Sequence, residues 1–398
     1  MSPATFRLVL LVSCAHALVH VYELAYPSVE SLMRGHYQID KAVAGQLGNT
    51  WRLPFGLGAM FVGLLVDRFG AKWLLVAYLL GCAATAGLIA AQPELPLLFG
   101  AMFLMGSFAS VYHPAGLALI SHETRPEHRP MALGYHGVLG SLGIAAAPFL
   151  AAACLSLMNN WWPGYYVVLT VPGVLLAVLI ACRLQEHHRS VPRASDENLP
   201  PDSFPKLRFA VLTLSGALGG FVYAALMTFL PYYLRDLPWR PTALDDMSFR
   251  NYLTGAVLLI GMAGQYLAGR VARIDRLEWQ LGGVLLAQAP LLVCMGMATG
   301  GLRVAAAGSV ALVQFMQQPL YNGIVADYVP RHRRSLGYGI SNTMAFGVGS
   351  FGAWYAGAVA SEEVMYSSLA AFTVVSALLV LLLAVQRGRH IAQAAAPR

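Results

Sequence analysis

His16, His20 and Glu23 follow one another at spacings of four and three residues inside an otherwise apolar run. On a helix those spacings place all three on one face. Two imidazoles and a carboxylate in a row can pass a proton, since histidine titrates near neutrality. Arg52, in the next apolar run, supplies the opposite charge. A charge in hydrocarbon is costly, so each of these residues is a functional hypothesis from the outset. Competition between a proton and a substrate for Glu23 and Arg52 would couple their movements, and the two are read as the proton-coupling residues. The plainer reading is a static ion pair that ties two helices together, because removing one partner strands the other charge.

Further polar residues lie in other apolar runs. Tyr112 and His113 precede Pro114, and a proline within a helix frees a carbonyl one turn back and can bend the chain beside a cavity. His136 follows in the next run. At ~1.5 Å per residue, Glu23 and Arg52 sit roughly 22 Å from the inner helix ends, and His16, His113 and His136 roughly 8–12 Å, with His20 between. The expected picture is an outer acid–base layer above an inner histidine layer. A later run offers the neutral hydrogen bonders Gln314, Gln317, Gln318 and Asn322. Together with His16, His20, Tyr112, His113 and His136 they form the expected substrate-binding set. The four histidines and Glu23 are, as an alternative, ligand types suited to a divalent metal; spacing alone assigns no metal site.

The elements that must hold these groups are helices in a bilayer. Apolar residues make up 57% of 398 positions and charged residues 11%, with a mean hydropathy of +0.59. A soluble domain carries roughly 25% charged residues. Apolar stretches of about twenty residues, the length that crosses hydrocarbon as a helix, recur along the whole chain. They fall at 8–29, 44–66, 73–91, 97–120, 131–155 and 163–183, then at 209–233, 251–269, 279–299, 303–326, 336–358 and 365–386. Of the 19 acidic residues, only Glu23 lies well inside one of them. The first run is not followed by a cleavage site and reads as the first span.

The formal charge of +7 does not mark a nucleic-acid binder, because its placement follows the positive-inside rule. With the N-terminus inside, inner segments hold 19 of the 26 Lys and Arg residues, and the outer loops hold only Arg34, Lys41, Arg235, Arg240, Arg250 and Arg303. Both termini are thus expected in the cytoplasm, and a prokaryotic inner membrane is the expected location. Trp161, Trp162, Tyr165 and Tyr166 mark one outer boundary as an aromatic belt would. The five cysteines lie in or beside apolar runs without metal-ligand spacing, and read as packing residues.

Residues 184–206, which include four prolines, read as a cytoplasmic linker between one bundle over 1–183 and another over 207–398. The two halves look duplicated. Pro114, Pro126-Glu127-His128-Arg129 and Leu133-Gly134-Tyr135 are echoed by Pro319, Pro330-Arg331-His332-Arg333 and Leu336-Gly337-Tyr338. Such duplication is a transporter architecture, with substrate bound near the midplane between the halves. Gly137, Gly140 and Gly143, and likewise Gly347, Gly349 and Gly352, read as small-residue faces for close helix packing.

After the second run comes Gly63-Leu64-Leu65-Val66-Asp67-Arg68-Phe69-Gly70-Ala71-Lys72. This resembles the signature of the major facilitator superfamily, Gly-x-Leu-x-Asp-Arg-x-Gly-x-Lys/Arg. The resemblance implies an all-α membrane fold, with twelve transmembrane helices in two pseudo-symmetric six-helix bundles. It also implies that Asp67 and Arg68, with Lys72, serve a cytoplasmic gate. The second half departs at the matching place, where Gly264-Gln265-Tyr266-Leu267-Ala268-Gly269-Arg270 lacks the Asp. Tyr112-His113-Pro114 is similar to the His-Pro of fosmidomycin-resistance-type efflux proteins, whereas the superfamily's common Arg-containing motif in that helix is missing.

The reading is a proton-coupled secondary transporter, an exporter on the efflux resemblance, acting on a small polar or anionic organic molecule. A divalent metal or metal chelate is the alternative cargo, and a non-transporting receptor or scaffold a further one. No Gly-x-x-x-x-Gly-Lys loop is present, which argues against ATP-driven pumping, and enzymatic activity is not expected. No cofactor is expected. The expected partners are the substrate, protons and the lipid bilayer, with the chain a monomer.

Overall fold

The computed structural model describes residues 1–125, 128–186, 205–235, 237–329 and 334–395. Most of the expected linker lies outside them. In chain order the helices are α1 (Pro3–His36), α2 (Lys41–Phe69), α3 (Ala71–Ala90), α4 (Leu95–Ala109), α5 (Tyr112–Glu123), α6 (Arg129–Leu157) and α7 (Trp162–Arg183), followed by α8 (Lys206–Tyr233), α9 (Asp246–Val271), α10 (Leu277–Met297), α11 (Leu302–Tyr328), α12 (Arg334–Asn342), α13 (Phe351–Ala358) and α14 (Glu362–Ala395). They make the twelve expected spans, since α4 and α5 share one and α12 and α13 another. Nine helical segments among the described residues are long and apolar enough to cross a membrane.

Local chemistry sets the boundaries. The Ser2 hydroxyl caps α1 by accepting from the Thr5 N–H, and Asp40 Oδ1 caps α2 by accepting from the Val43 N–H at 2.8 Å. Gly70, at φ 77°, turns the chain from α2 into α3. Two spans expected to be continuous are interrupted. The one over 97–120 breaks at Ser110–Val111, because Pro114 has no N–H to give the Ser110 carbonyl. The one over 336–358 passes through a π turn at Thr343–Gly347 and a 3-10 turn at Val348–Ser350, a stretch weakened as α-helix by its glycines.

α1 runs well past the expected end at residue 29 and carries Glu30 with it. Glu30 is buried and pairs with Arg34 Nε at 3.2 Å. Glu278, in the first turn of α10, is buried too. The expectation that Glu23 alone among the acids lies inside a span is therefore corrected.

The described residues divide into two compact units. The first holds α1–α7, the later part of α8, the earlier part of α9 and most of α13. In it α1 runs along α6, α3 along α7 and α2 along α4. A Cβ at Gly140 would strike the His16 ring, and one at Gly143 the Ala17 carbonyl, so α6 approaches α1 at those two glycines. Gly137 faces open space, which removes it from the expected packing face. On α7, Val171, Val174, Leu175 and Val178 form an exposed apolar stripe at helical spacing, suited to lipid. Contributions from α8, α9 and α13 close onto α1, α2 and α6 within this unit. Asn251 Nδ2 donates to the Ser28 carbonyl at 2.8 Å, Phe149 meets Tyr252 at 6.2 Å, and Gly45 meets Gly357 backbone to backbone.

In the second unit α10 lies between α11 and α14. Leu281, Leu285, Leu320, Ile324, Val380 and Leu383 fill its core. Gly349 and Gly352 press on the backbone of Gly220 and Phe221 in α8. This repeats the contact of Gly140 and Gly143 with α1, and the α10–α14 pair repeats α3–α7, as duplicated bundles should.

Candidate functional site

α1 presents His16, His20 and Glu23 in a head-to-tail row. Arg52 Nη1, from α2, donates to Glu23 Oε1 at 2.7 Å. Glu23 Oε2 meets His20 Nδ1 at 2.7 Å, and His20 Nε2 meets His16 Nε2 at 3.2 Å. His16 Nδ1 ends the row on the backbone carbonyl of His136, in α6, at 2.7 Å. Glu23 is 3% exposed, Arg52 4%, and His16 and His20 8% each. The acid–base and histidine layers expected from depth are thus one chain, because the i, i+3 and i, i+4 spacings stack these side chains along α1 and His20 spans the gap.

Rings enclose this chain. His136 stacks on His16 with centroids 3.9 Å apart, and Tyr112 lies parallel to His16 at 5.1 Å. The Tyr112 hydroxyl is spent on the Val12 carbonyl at 2.8 Å, so Tyr112 acts as a plate for His16. His113 stands edge-on to His16 at 5.2 Å and to His20 at 5.7 Å. Among the described residues no hydrogen bond engages the His113 ring, and the buried Nε2 of His136 has no partner. His16, His20 and His113 bring one nitrogen each within 4.8 Å of one another. Of the other two residues in the alternative metal set, Glu23 is turned to Arg52 and His20, and His136 offers His16 its ring face.

The four amides of α11 do not act together. Gln314 and Gln317 are buried and joined through Gln288 of α10. Gln288 Nε2 donates to Gln314 Oε1 at 2.6 Å, and Gln317 Nε2 donates to Gln288 Oε1 at 2.5 Å. Gln318 is exposed on another face and accepts from Gln265 of α9 at 3.0 Å. Asn322 is half-buried, and its backbone carbonyl, not its side-chain amide, accepts from the Tyr338 hydroxyl. Sequence reasoning missed Gln288. Its signal was an amide in the middle of an apolar run, two residues before Pro290.

At the expected gate, the side chains of Asp67 and Arg68 lie outside the described residues. Lys72 Nζ sits over the Trp73 ring at 5.2 Å. The unforeseen partner is Glu186, just past α7. Its carboxylate accepts from the N–H groups of Ala71 and Lys72, each at 2.9 Å, and so caps α3 from a distant part of the chain. A second unforeseen ion cluster joins Arg387 of α14 to Glu278 at 2.9 Å and Asp327 at 2.8 Å, with the Tyr328 hydroxyl donating to Glu278.

The family model described as Major Facilitator Superfamily matches residues 11–353. The puromycin resistance protein pur8 of Streptomyces alboniger is 35% identical over 152 residues, which cover 38% of this chain and 29% of that protein. The efflux pump patC of Aspergillus clavatus is 22% identical over 274 residues, covering 68% of this chain and 48% of that protein. The chain thus spans less than half the length of these two curated relatives. Among solved structures, a bacterial homologue of the human lysosomal transporter Spinster aligns with a TM-score of 0.70 at 15% identity, over 97% of this chain and 96% of that one. The nucleoside transporter NupG aligns with a TM-score of 0.69 at 14% identity, over 94% and 99%. These two likenesses show the fold.

Proposed function

Because the chain belongs to the Major Facilitator Superfamily, we propose that it is a proton-coupled secondary transporter that exports a small polar or anionic organic molecule by alternating access. The observation that carries this reading is the buried Arg52–Glu23–His20 network, a titratable ion pair nearly sealed from solvent. Glu23 is the proton-coupling carboxylate and Arg52 the charge for which proton and substrate compete. His113 and the free Nε2 of His136 are the unspent hydrogen bonders of the cluster and take the substrate contacts on the N-terminal side. Gln318 and Asn322, outside the Gln288 network, take them in the C-terminal half.

The moving bodies are 1–183 and 207–398, joined by 184–206. Asp67, Arg68 and Lys72 lock the cytoplasmic end, where both termini lie, in a prokaryotic inner membrane. Export as the direction is supported by the resistance and efflux names of the relatives.

A thermal-shift panel of small organic anions, metal chelates and divalent metals on the purified protein tests the substrate class, because a ligand of the folded state stabilises it in proportion to RT ln(1 + [L]/Kd). An organic anion should stabilise the parent and lose that effect in Arg52→Ala. A metal response lost in His113→Ala would instead make a metal the cargo. In proteoliposomes, Glu23→Gln should abolish gradient-driven transport of the stabilising compound and spare its exchange. A Glu23→Gln protein that still concentrates substrate removes Glu23 as the coupler.

A further inference from the structure

The hydrogen-bond chain on α1 requires one proton that ordinary ionisation states do not supply. His16 Nδ1 lies 2.7 Å from the His136 carbonyl oxygen. A carbonyl only accepts, so His16 Nδ1 bears hydrogen, and Nε2 of the neutral ring is a bare lone pair. That lone pair faces His20 Nε2 at 3.2 Å, so a hydrogen must lie between the two nitrogens. The other nitrogen of His20, Nδ1, faces Glu23 Oε2 at 2.7 Å. An ionised Glu23, paired with Arg52, only accepts, so His20 Nδ1 bears hydrogen too.

The count is the same wherever each hydrogen is drawn. A hydrogen on both nitrogens of His20 makes imidazolium. Shifting one to Glu23 Oε2, or to His16 Nε2, moves the charge without changing the total. In every case the chain holds one proton more than neutral imidazoles beside an ionised carboxylate. Without it, neutral His20 has a single hydrogen and an acceptor on each side, and one contact must break.

We propose that the arrangement seen here is the proton-loaded state, with the proton held by His20 between His16 and Glu23, and that its loss frees His20 from one of those two partners. This rests on the proton-coupled reading above and moves the carrier from Glu23 alone to His20. The neighbours decide which residue turns. His16 is held by the His136 carbonyl, by the stacked rings of His136 and Tyr112, and by Gly140 beneath it. Glu23 is held by Arg52. His20 is the member free to swing, and the next acceptor it meets is the unengaged ring of His113. The titratable and charged groups around His20 are His16 and Glu23 on α1, Arg52 from α2, Tyr112 and His113 from α5, and His136 from α6. From α3, the Tyr78 hydroxyl is already given to the Ala15 carbonyl.

The test is nitrogen NMR of the full chain in lipid nanodiscs with nitrogen-15-labelled histidine, which separates a ring nitrogen bearing hydrogen from a bare one. At neutral pH one residue should carry hydrogen on both ring nitrogens, and its signal should vanish in His20→Asn. In His16→Gln the amide can donate to His20 Nε2 and relieve the need for the extra proton. The doubly protonated signal at neutral pH should then be lost, while His113→Gln leaves it in place. The absence of any doubly protonated histidine in the parent overturns the proposal even if no variant folds. So does a doubly protonated signal that persists undiminished in His16→Gln, or a bound transition metal that disappears in His20→Asn. Transport indifferent to a pH gradient, with His20 doubly protonated, would sink the coupling reading and spare the proton count. Coupled transport with no doubly protonated histidine would do the reverse.

Discussion

Arg52 and Glu23 illustrate how much one buried pair constrains a membrane protein. Each is under 5% exposed, and their atoms meet at 2.7 Å. Deleting Glu23 leaves the Arg52 charge with no water to solvate it, and deleting Arg52 takes from Glu23 the cation that meets its Oε1. Arg52→Ala is therefore expected to destabilise the detergent-solubilised protein by about 3–5 kcal/mol in denaturant unfolding. The Glu23→Gln/Arg52→Gln double variant should lose much less than the sum of its single variants, because the stranded charge is absent from both sides. Losses that add would show that the two residues act independently. The α1 row itself was legible in the sequence, since i, i+3 and i, i+4 spacing needs nothing beyond helical periodicity. The His136 carbonyl that sets the His16 tautomer was not legible, because a backbone acceptor carries no residue-type signal.

At the scale of elements, the α2–α3 turn and the start of α9 each depend on one carboxylate. Glu186 accepts both N–H groups at the head of α3, and Gly70 lies beneath it at φ 77° and ψ 155°. Glu186→Ala should cost about 1 kcal/mol, the usual worth of a helix cap. Gly70→Ala should cost on the order of 1–3 kcal/mol, because that backbone region is nearly closed to residues with a Cβ. Thermal melts of the two variants against the parent give the ranking. Asp245 caps α9 by accepting from the Ser248 N–H at 2.9 Å. Burial pushes its carboxyl up, but hydrogen bonds from Ser248, Asn160 and Met247 outweigh burial and hold it below the ordinary value of 3.8. A depressed carboxyl stabilises the fold above its unfolded pKa and loses that contribution as pH falls through its folded pKa. The melting-temperature gap between the parent and Asp245→Ala should thus be full at neutral pH and shrink below about pH 4. A gap that stays constant through that window would mean the carboxylate charge contributes nothing. The Asp245 cap sits at an ordinary helix start, whereas Glu186 lies 115 residues from Ala71 and gave no local cue.

For the whole molecule, the informative region is where α8, α9 and α13 close on α1, α2 and α6 inside one compact unit. Gly45 and Gly357 meet backbone to backbone, and Gly48 lies against Thr228. No side chain fits there without parting the helices. Gly45→Leu should hold this end open, which a maleimide reagent would report as severalfold faster labelling of Ser28→Cys. Ser28 is 1% exposed, and its carbonyl accepts from Asn251. Unchanged labelling would mean the closure tolerates the larger side chain or that the contact is not a barrier. Asn251→Ala should act in the same direction and more weakly, since it removes one hydrogen bond and adds no bulk.

The sequence by itself determined the twelve spans, the charge asymmetry of their loops, the duplicated halves and the polar face of α1. The spans and the polar face follow from hydropathy and from the local period of a helix, and the other two from recurring motifs and the placement of Lys and Arg, none of which packing can alter. Only the tertiary structure decided that Arg52 reaches Glu23, that two expected layers are a single hydrogen-bonded chain, and that Gln314 and Gln317 turn to Gln288 while Gln318 turns to Gln265. It also decided where α1 ends and hence that Glu30 is buried, and it placed Asn251 on Ser28 across 223 residues. Those pairings depend on helix rotation and on which neighbours compete for each donor, and neither is encoded in the spacing of residues along one helix.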